Sequence, residues 1–128
     1  MYDAFKEAVA EEGTEVLAPD ELDLALVDVV YPSEQVDLVL GENVNETSIV
    51  LEIDDGQHRF LLTGDIGEVV EEELLASEVL EDVDVLKVGH QGSKFSSTRT
   101  FLEAINPEVA VISVGEGNDY HHPHPTAL

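Results

Sequence analysis

Apolar and polar residues alternate along the first half of this chain in short runs, and this alternation predicts β-strands. Strand-type runs lie at residues 22–31, 48–53 and 58–63, and shorter apolar runs lie at 14–18 and 36–40. Asp54-Asp55-Gly56-Gln57 separates two of them and predicts a hairpin turn, because Asp-Gly readily adopts the positive φ angles that tight hairpins need. The residues at 41–47 read as a loop.

A helical period replaces the alternation in three segments, at residues 2–12, 68–80 and 98–105. Gly13 is placed to end the first helix, and Ser97 or Thr98 is placed to cap the third. The second has acidic residues in its first turns, where the helix dipole favours them. Its apolar residues form one broad stripe, made of Val69, Val70, Leu74 and Leu80.

Two further strands, at residues 83–88 and 109–114, complete a β-helix-β-helix-β pattern, and the last one has the composition of a buried strand. The predicted fold is therefore α/β (α+β), with a mixed sheet flanked by helices in one domain, residues 1–128. Three loops follow strands of this second half, at 64–67, 89–97 and 115–125. Loops at the carboxyl ends of neighbouring strands meet at one edge of a sheet, where ligands bind.

The charge of the chain is unusual for a globular protein. It has 29 acidic and five basic residues, a formal net charge of −24, while its apolar content of 43% is ordinary. Repulsion of this size opposes a compact state unless salt screens it, so we expect a halophilic protein with a solvated acidic surface. A nucleic-acid mimic or a calcium-loaded surface is the alternative, although no EF-hand loop is present.

Composition also limits the chemistry and the compartment. The chain has no cysteine, which excludes disulfides and thiolate metal ligands. No apolar run approaches the roughly 20 residues of a membrane span, and the N-terminus lacks a secretion signal. We therefore expect a soluble, cytoplasmic protein by default, or an extracytoplasmic one if a preceding region carries a signal or membrane segment.

Asp65 and His90 are the first candidates for a functional site. Each follows a strand-type run and a glycine, in the segments L-L-T-G-D and L-K-V-G-H. A carboxylate and an imidazole delivered to the same sheet edge suit Zn²⁺, Mn²⁺ or iron. Asp65 alone is better explained as a turn or helix-capping residue.

Basic residues and histidines cluster around the same loops. Lys87, Lys94 and Arg99 are three of the five basic residues, within thirteen positions; they either form a positive mouth for an anionic substrate or pair with nearby carboxylates. Four of the five histidines lie on strand-end loops, and prolines stiffen the His122-Pro123-His124-Pro125 segment. This cluster contacts either metal or substrate, or it is plain surface. Asn45 and Asn118 read as turn residues, and His58 as a structural residue within a strand.

The motifs L-L-T-G-D-I, L-K-V-G-H-Q-G-S-K-F-S-S, V-A-V-I-S-V-G and N-D-Y-H-H-P-H-P occur in this order. Together they resemble the second half of metallo-β-lactamase-fold hydrolases, in the branch of ComEC-type competence proteins. The resemblance covers residues 43–128, about two thirds of the chain. It implies the C-terminal half of an αβ/βα sandwich. It also implies hydrolysis of phosphodiesters, single-stranded DNA in this branch, by a metal-bound hydroxide.

The resemblance also implies roles for individual residues. Asp65 would be a bridging metal ligand and His90 a late histidine ligand, both catalytic, at a centre of one or two Zn²⁺ ions, with Mn²⁺ as the alternative. The substrate-binding residues would be Gly92, Ser93, Lys94, Asn118, His122 and His124, with the last two at the rim of the site.

Two departures from the family pattern qualify these expectations. No histidine precedes His58, so the His-x-His-x-Asp-His motif is absent, and Gln91 stands where the family has a second histidine. The chain then reads as a fragment whose missing N-terminal half, in cis or in trans, is a partner. Self-association through the face that this missing half would otherwise cover is the other option.

A non-catalytic binding or assembly module is the alternative function. A small metal-binding surface protein is a third, and it predicts that Asp65 and His90 lie far apart.

Overall fold

A computed structural model describes residues 2–17, 24–33 and 43–128. The apolar run predicted at 36–40 lies outside these described residues. So do the last residue of the predicted segment 14–18 and the first two residues of the predicted segments 22–31 and 41–47. Short 3-10 turns form at Val44–Thr47, Gly89–Gly92 and Pro125–Ala127. The regular elements are α1 (Tyr2–Glu12), β1 (Val27–Tyr31), β2 (Val50–Asp54), β3 (Arg59–Leu62), α2 (Glu68–Ser77), β4 (Val85–Lys87), α3 (Arg99–Ile105) and β5 (Val109–Val111).

The strands form one mixed sheet in the order β1-β2-β3-β4-β5. The first three strands are antiparallel, and β3, β4 and β5 are parallel. The predicted turn joins β2 to β3, with Asp54 Oδ1 accepting the Gly56 N–H at 2.7 Å. Helices α2 and α3 make the two crossovers that parallel strands require, so β3, β4 and β5 end at the same sheet edge.

One face of the sheet carries the core. Leu61 of β3 and Leu86 of β4 are register partners, and both are completely buried. They belong to one cluster with Val70 and Leu74 of α2, and with Phe101 and Ile105 of α3. Burial of each of these side chains contributes about 1.5–3 kcal/mol, so the helices are held on this face by hydrophobic packing.

The opposite face of the sheet is almost entirely apolar, yet none of its side chains is fully buried. Side chains alternate across a strand, so the strand registers place ten residues on this open face. They are Val27, Val29, Leu51, Ile53, Phe60, Leu62, Val85, Lys87, Val109 and Val111.

The described structure confirms the predicted fold class, a mixed sheet flanked by helices. It also confirms α1 and its end, where Gly13 has a φ of 66°. Thr98 caps α3, because its side chain accepts the Phe101 N–H. None of the helices within the described ranges is both long and apolar enough to cross a membrane.

Four local predictions were wrong. Helix α2 ends at Ser77 rather than at residue 80, because Glu78 adopts a left-handed conformation with a φ of 55°. Val69 was placed on the apolar stripe, but it is 66% exposed. Strand β5 was expected to be buried, but all three of its residues are exposed, because it is an edge strand with one neighbour. His58 lies in the turn before β3, not within a strand.

Candidate functional site

The turns that follow β3 and β4 lie against each other at the carboxyl edge of the sheet. The His90 N–H donates to the Gly64 carbonyl at 3.0 Å. Gly64 has a φ of 57°, and a Cβ there would lie 2.8 Å from the Ser48 Cβ, so only glycine fits this close approach. The structure thus brings the turns of Asp65 and His90 into contact. The hypothesis of a small metal-binding surface protein predicted that these two residues lie far apart.

Asp65 presents a half-buried carboxylate at this edge. Its backbone N–H donates to the Ser48 hydroxyl at 3.1 Å, which fixes the turn. Within residues 2–17, 24–33 and 43–128, its carboxylate has no hydrogen bond or ion pair. Both oxygens are therefore available to a cation or a substrate proton.

His90 is held in an unusual backbone conformation. Its φ is 45° and that of Gln91 is 54°, and such left-handed values are uncommon for residues other than glycine. The His90 Nε2 lies 3.4 Å from the Asn45 Nδ2. An amide N–H can donate to that nitrogen only when the nitrogen carries no proton.

His122 reaches the same place from the loop after β5. Its ring makes an edge contact with the His90 ring, at 5.8 Å between centroids. The Tyr120 ring stacks on the His122 ring, at 5.9 Å between centroids. The Asn118 Nδ2 donates to the His122 carbonyl at 2.7 Å, and the Asn118 Oδ1 accepts the His122 N–H at 2.9 Å. Asn118 therefore uses its amide to shape the loop that carries His122.

Gly92 and His124 join the second and third loops. The His124 N–H donates to the Gly92 carbonyl at 2.8 Å. A Cβ on Gly92 would lie 2.8 Å from the Pro123 Cβ, and the φ of Gly92 is 79°. The His124 Nδ1 lies 2.7 Å from the Thr126 hydroxyl, so this imidazole also organises the last turn of the chain.

A cleft of about 460 Å³ opens beside these loops. Two exposed aromatic residues stand in its lining, Phe95 at 64% and Tyr120 at 79% exposure. The Lys94 ammonium lies 4.7 Å from the centre of the Phe95 ring. The remaining lining residues are Ser93, His121, His122, His124 and Pro125.

Only part of the predicted substrate-binding set is open to a ligand. Ser93 is buried, and its hydroxyl accepts the Phe95 N–H at 3.3 Å. Of the three clustered basic residues, Arg99 pairs with Glu103 at 2.7 Å, and the Lys87 ammonium donates to the Val88 carbonyl at 2.8 Å. Lys94 is the member of the cluster that lines the cleft.

The donor set at this edge is incomplete for a metal centre. No group of three or more histidine, aspartate or glutamate side chains within the described residues is arranged to hold a metal ion. A catalytic zinc takes three protein ligands and keeps a fourth position for water or substrate. Asp65 and His90 therefore fit as a part of such a centre, and do not form one alone.

Two residues around the site were not predicted from the sequence. Asn45 was assigned to a turn, but its amide reaches the His90 ring across 45 positions of sequence. Glu71 was counted among the acids at the start of α2, yet it is only 1% exposed and accepts the backbone N–H groups of Ser97 and Thr98. The sequence did contain a sign of this role, because the helical period places Glu71 on the same apolar face of α2 as Val70 and Leu74.

Comparison with known proteins gives a consistent result. The family model of the metallo-beta-lactamase superfamily matches residues 2–116. ComE operon protein 3 of Bacillus subtilis is 42% identical over 84 residues, which is 66% of this chain and 11% of that protein. Recombination protein 2 of Haemophilus influenzae is 44% identical over 80 residues, or 62% of this chain and 10% of that protein.

A third relative, competence protein ComA of Neisseria gonorrhoeae, is 42% identical over 82 residues, or 62% of this chain and 12% of that protein. The chain thus spans about a tenth of the length of the curated relatives that it matches.

Proposed function

The chain belongs to the metallo-β-lactamase superfamily, and from this premise we propose that it is part of a metal-dependent hydrolase that cleaves phosphodiester bonds in single-stranded nucleic acid. The observation that carries the proposal is the hydrogen bond between the His90 N–H and the Gly64 carbonyl. It brings the turn that carries His90 against the turn that carries Asp65 at a sheet edge, and the Asp65 carboxylate has no hydrogen bond or ion pair within the described residues.

In this proposal, Asp65 and His90 are two ligands of a zinc or manganese centre, and other ligands come from a second polypeptide segment. The incomplete donor set supports this division. The second segment is the N-terminal half of the domain, in cis or in trans. His122, whose ring contacts that of His90, lies at the rim, where it contacts either metal or substrate.

The open face of the sheet supports the same division. Its nine apolar side chains span all five strands, and none of them is fully buried. An apolar surface of this extent marks a site that another element covers. The second half of the domain is the proposed occupant, and self-association through this face is the competing one.

The cleft supports a single-stranded nucleic acid as substrate. Exposed aromatic rings such as Phe95 and Tyr120 can stack on bases, which are accessible when they are not paired. Lys94 supplies a positive charge beside Phe95 for a backbone phosphate. The names of the relatives, for competence and recombination, are consistent with this class of substrate.

An assay of the completed domain tests the proposal. The chain is joined to, or co-expressed with, a family segment that carries the His-x-His-x-Asp-His motif, and cleavage of a labelled single-stranded oligonucleotide is followed with Zn²⁺ or Mn²⁺. We expect cleavage that is abolished by a chelator and by His90→Ala. His58→Ala is the matched control, because His58 lies in the exposed turn at the other end of β3.

A non-catalytic binding module is the second candidate, and Gln91 favours it. An amide is a poor substitute for the imidazole that the family has at this position, either as a metal ligand or as an acid. The same assay separates the two candidates. An oligonucleotide that is bound but not cleaved with either metal would contradict the hydrolase and support the binding module.

A further inference from the structure

Glu71 is a buried carboxylate that the proposed hydrolysis does not use. It lies on α2 and is only 1% exposed. No ion pair to this carboxylate is found within the described ranges 2–17, 24–33 and 43–128. Burial of an ionised carboxylate is costly unless strong hydrogen bonds compensate for it, so the groups that bind Glu71 show what this residue does.

Both oxygens of Glu71 accept backbone N–H groups from the end of the loop that carries His90. One oxygen accepts the Ser97 N–H and the other accepts the Thr98 N–H, the latter at 2.8 Å. Hydrogen bonds to an ionised acceptor are about twice as strong as neutral ones. Ser97 is thereby held in a left-handed conformation, with a φ of 54°.

Ser97 in turn holds the residue before His90. Its hydroxyl accepts the Gly89 N–H at 3.3 Å, while the Ser96 hydroxyl donates to the Gly89 carbonyl at 2.8 Å. Gly89 is therefore fixed through both of its backbone polar groups. The chain of contacts runs from the Glu71 carboxylate through Ser97 to Gly89, and the next residue is His90.

The same helix starts close to Asp65. Helix α2 begins at Glu68, three residues after Asp65, and the Glu68 N–H donates to the Phe95 carbonyl at 3.1 Å. Glu71 lies one turn further along this helix. Helix α2, which follows Asp65, is thus bonded to the loop that carries His90 at two places. One is the Glu68 N–H, and the other is the buried Glu71 carboxylate.

We propose that Glu71 is a positioning residue, which sets the place of the His90 imidazole relative to Asp65 by clamping the loop of residues 89–98 onto α2. The clamp itself stands on the hydrogen bonds and the burial alone. Its use in hydrolysis rests on the proposed function.

Amide hydrogen exchange on the full chain tests the clamp, with Glu71→Gln as the variant and Glu72→Gln as the control. Glu72 is the next residue of α2 and is exposed. In Glu71→Gln, the side chain keeps one acceptor oxygen and gains an NH₂ group. Either the Ser97 N–H or the Thr98 N–H then loses its acceptor. We expect the Ser97 and Thr98 amides to exchange at least about tenfold faster, while Leu61 and Leu86 in the sheet change by less than about threefold.

The ring signal of His90 gives a second readout, which a merely structural role would not move. We expect one sharp Cε1–H resonance in the unaltered chain and in Glu72→Gln, and a broadened or doubled one in Glu71→Gln. Exchange at Ser97 and Thr98 as in the unaltered chain would overturn the proposal. Acceleration of equal size in loop and sheet would also overturn it, as would an unchanged His90 signal.

Ser97→Ala covers the case in which Glu71→Gln does not fold. It removes the acceptor of the Gly89 N–H and leaves the Thr98 bond to Glu71 in place. We expect faster exchange at Gly89 and a disturbed His90 signal, with Thr98 still protected; an undisturbed His90 signal would contradict the proposal. None of these readouts depends on metal or on cleavage, so failure of the clamp and failure of the hydrolase are distinguishable.

Discussion

Phe95 and Tyr120 leave most of their aromatic surface exposed to water, which contributes nothing to the stability of the fold. Both rings line the cleft beside His122. Each ring has a face on which an unpaired base can stack. Alanine substitution of such platforms removes about 1–3 kcal/mol of binding free energy per base. The two rings are therefore the residues on which the substrate part of the account is most easily tested.

We predict that Phe95→Ala and Tyr120→Ala each weaken binding of a labelled single-stranded oligonucleotide about tenfold or more. Fluorescence anisotropy in 1 M salt measures this, because salt shortens the screening length to about 3 Å and so removes the repulsion by a net charge of −24. Phe5→Ala, which removes an exposed aromatic ring from α1, is the control. Equal losses in all three variants would exclude a stacking site in the cleft.

The sequence predicted that the turns of Asp65 and His90 meet at one sheet edge, because their positions depend on a general rule of sheet topology. The partners of these residues depend on distances that no local pattern contains. Asn45 is 45 residues from His90 in sequence. Glu71 is 26 residues from Ser97, so its carboxylate looked like any other acid on a helix of a very acidic chain.

At the scale of the elements, strands β2 and β3 carry an ion pair within the sheet. Arg59 of β3 pairs with Glu52 of β2 at 3.4 Å and with Glu81 at 2.7 Å. Burial raises the pKa of Glu52 above its ordinary value of 4.5, Arg59 lowers it, and neighbouring carboxylates including Asp28 raise it further. The net direction is upward, so the folded state disfavours the charged form of Glu52.

This direction gives a prediction about pH. A carboxyl group whose pKa is raised by folding binds its proton more tightly in the folded state, so stability is lost as pH rises from about 4.5 through the folded pKa. Glu52→Gln should therefore raise the Tm at pH 7, by about 2 °C. The difference should shrink as the pH falls through and below 4.5, because wild-type Glu52 then becomes protonated in both states.

Thermal unfolding followed by circular dichroism between pH 4 and pH 8 measures this effect. Glu72→Gln is the control, since it removes the same charge from an exposed position of α2. We expect its Tm to stay within about 1 °C of the unaltered chain. A lower Tm for Glu52→Gln at pH 7 would mean that the pair with Arg59 outweighs the cost of burial.

The elements themselves were largely predictable, because caps, turns and periodicity act over a few residues. Thr98 caps the start of α3 and Gly13 follows the end of α1, as their residue types require. The error at β5 occurs where a distant neighbour decides. An apolar run predicts burial for β5, but burial needs a covering element, and Val109 is 52% exposed.

At the scale of the whole molecule, the described residues form a sheet with one covered and one open face. The covered face holds a compact core, and the open face carries nine apolar side chains of which none is fully buried. Within the described residues, the acidic side chains lie mainly on the exposed surface, and the halophilic character stays a prediction. Within the described residues, an incomplete ligand set and a face without fully buried side chains both support the proposal that another polypeptide segment completes the domain.

Metal analysis of the completed domain tests this account most directly. The chain, joined to or co-expressed with a family segment that carries the His-x-His-x-Asp-His motif, is purified, and its zinc and manganese are counted by elemental analysis. Asp65→Asn and His90→Ala are compared with Asp119→Asn, which alters an exposed carboxylate of the third loop. We predict one or two metal ions per domain in the unaltered protein and in Asp119→Asn, and a loss of metal in the other two variants. An unchanged metal content in Asp65→Asn and His90→Ala, or no metal in any of the proteins, would contradict the account.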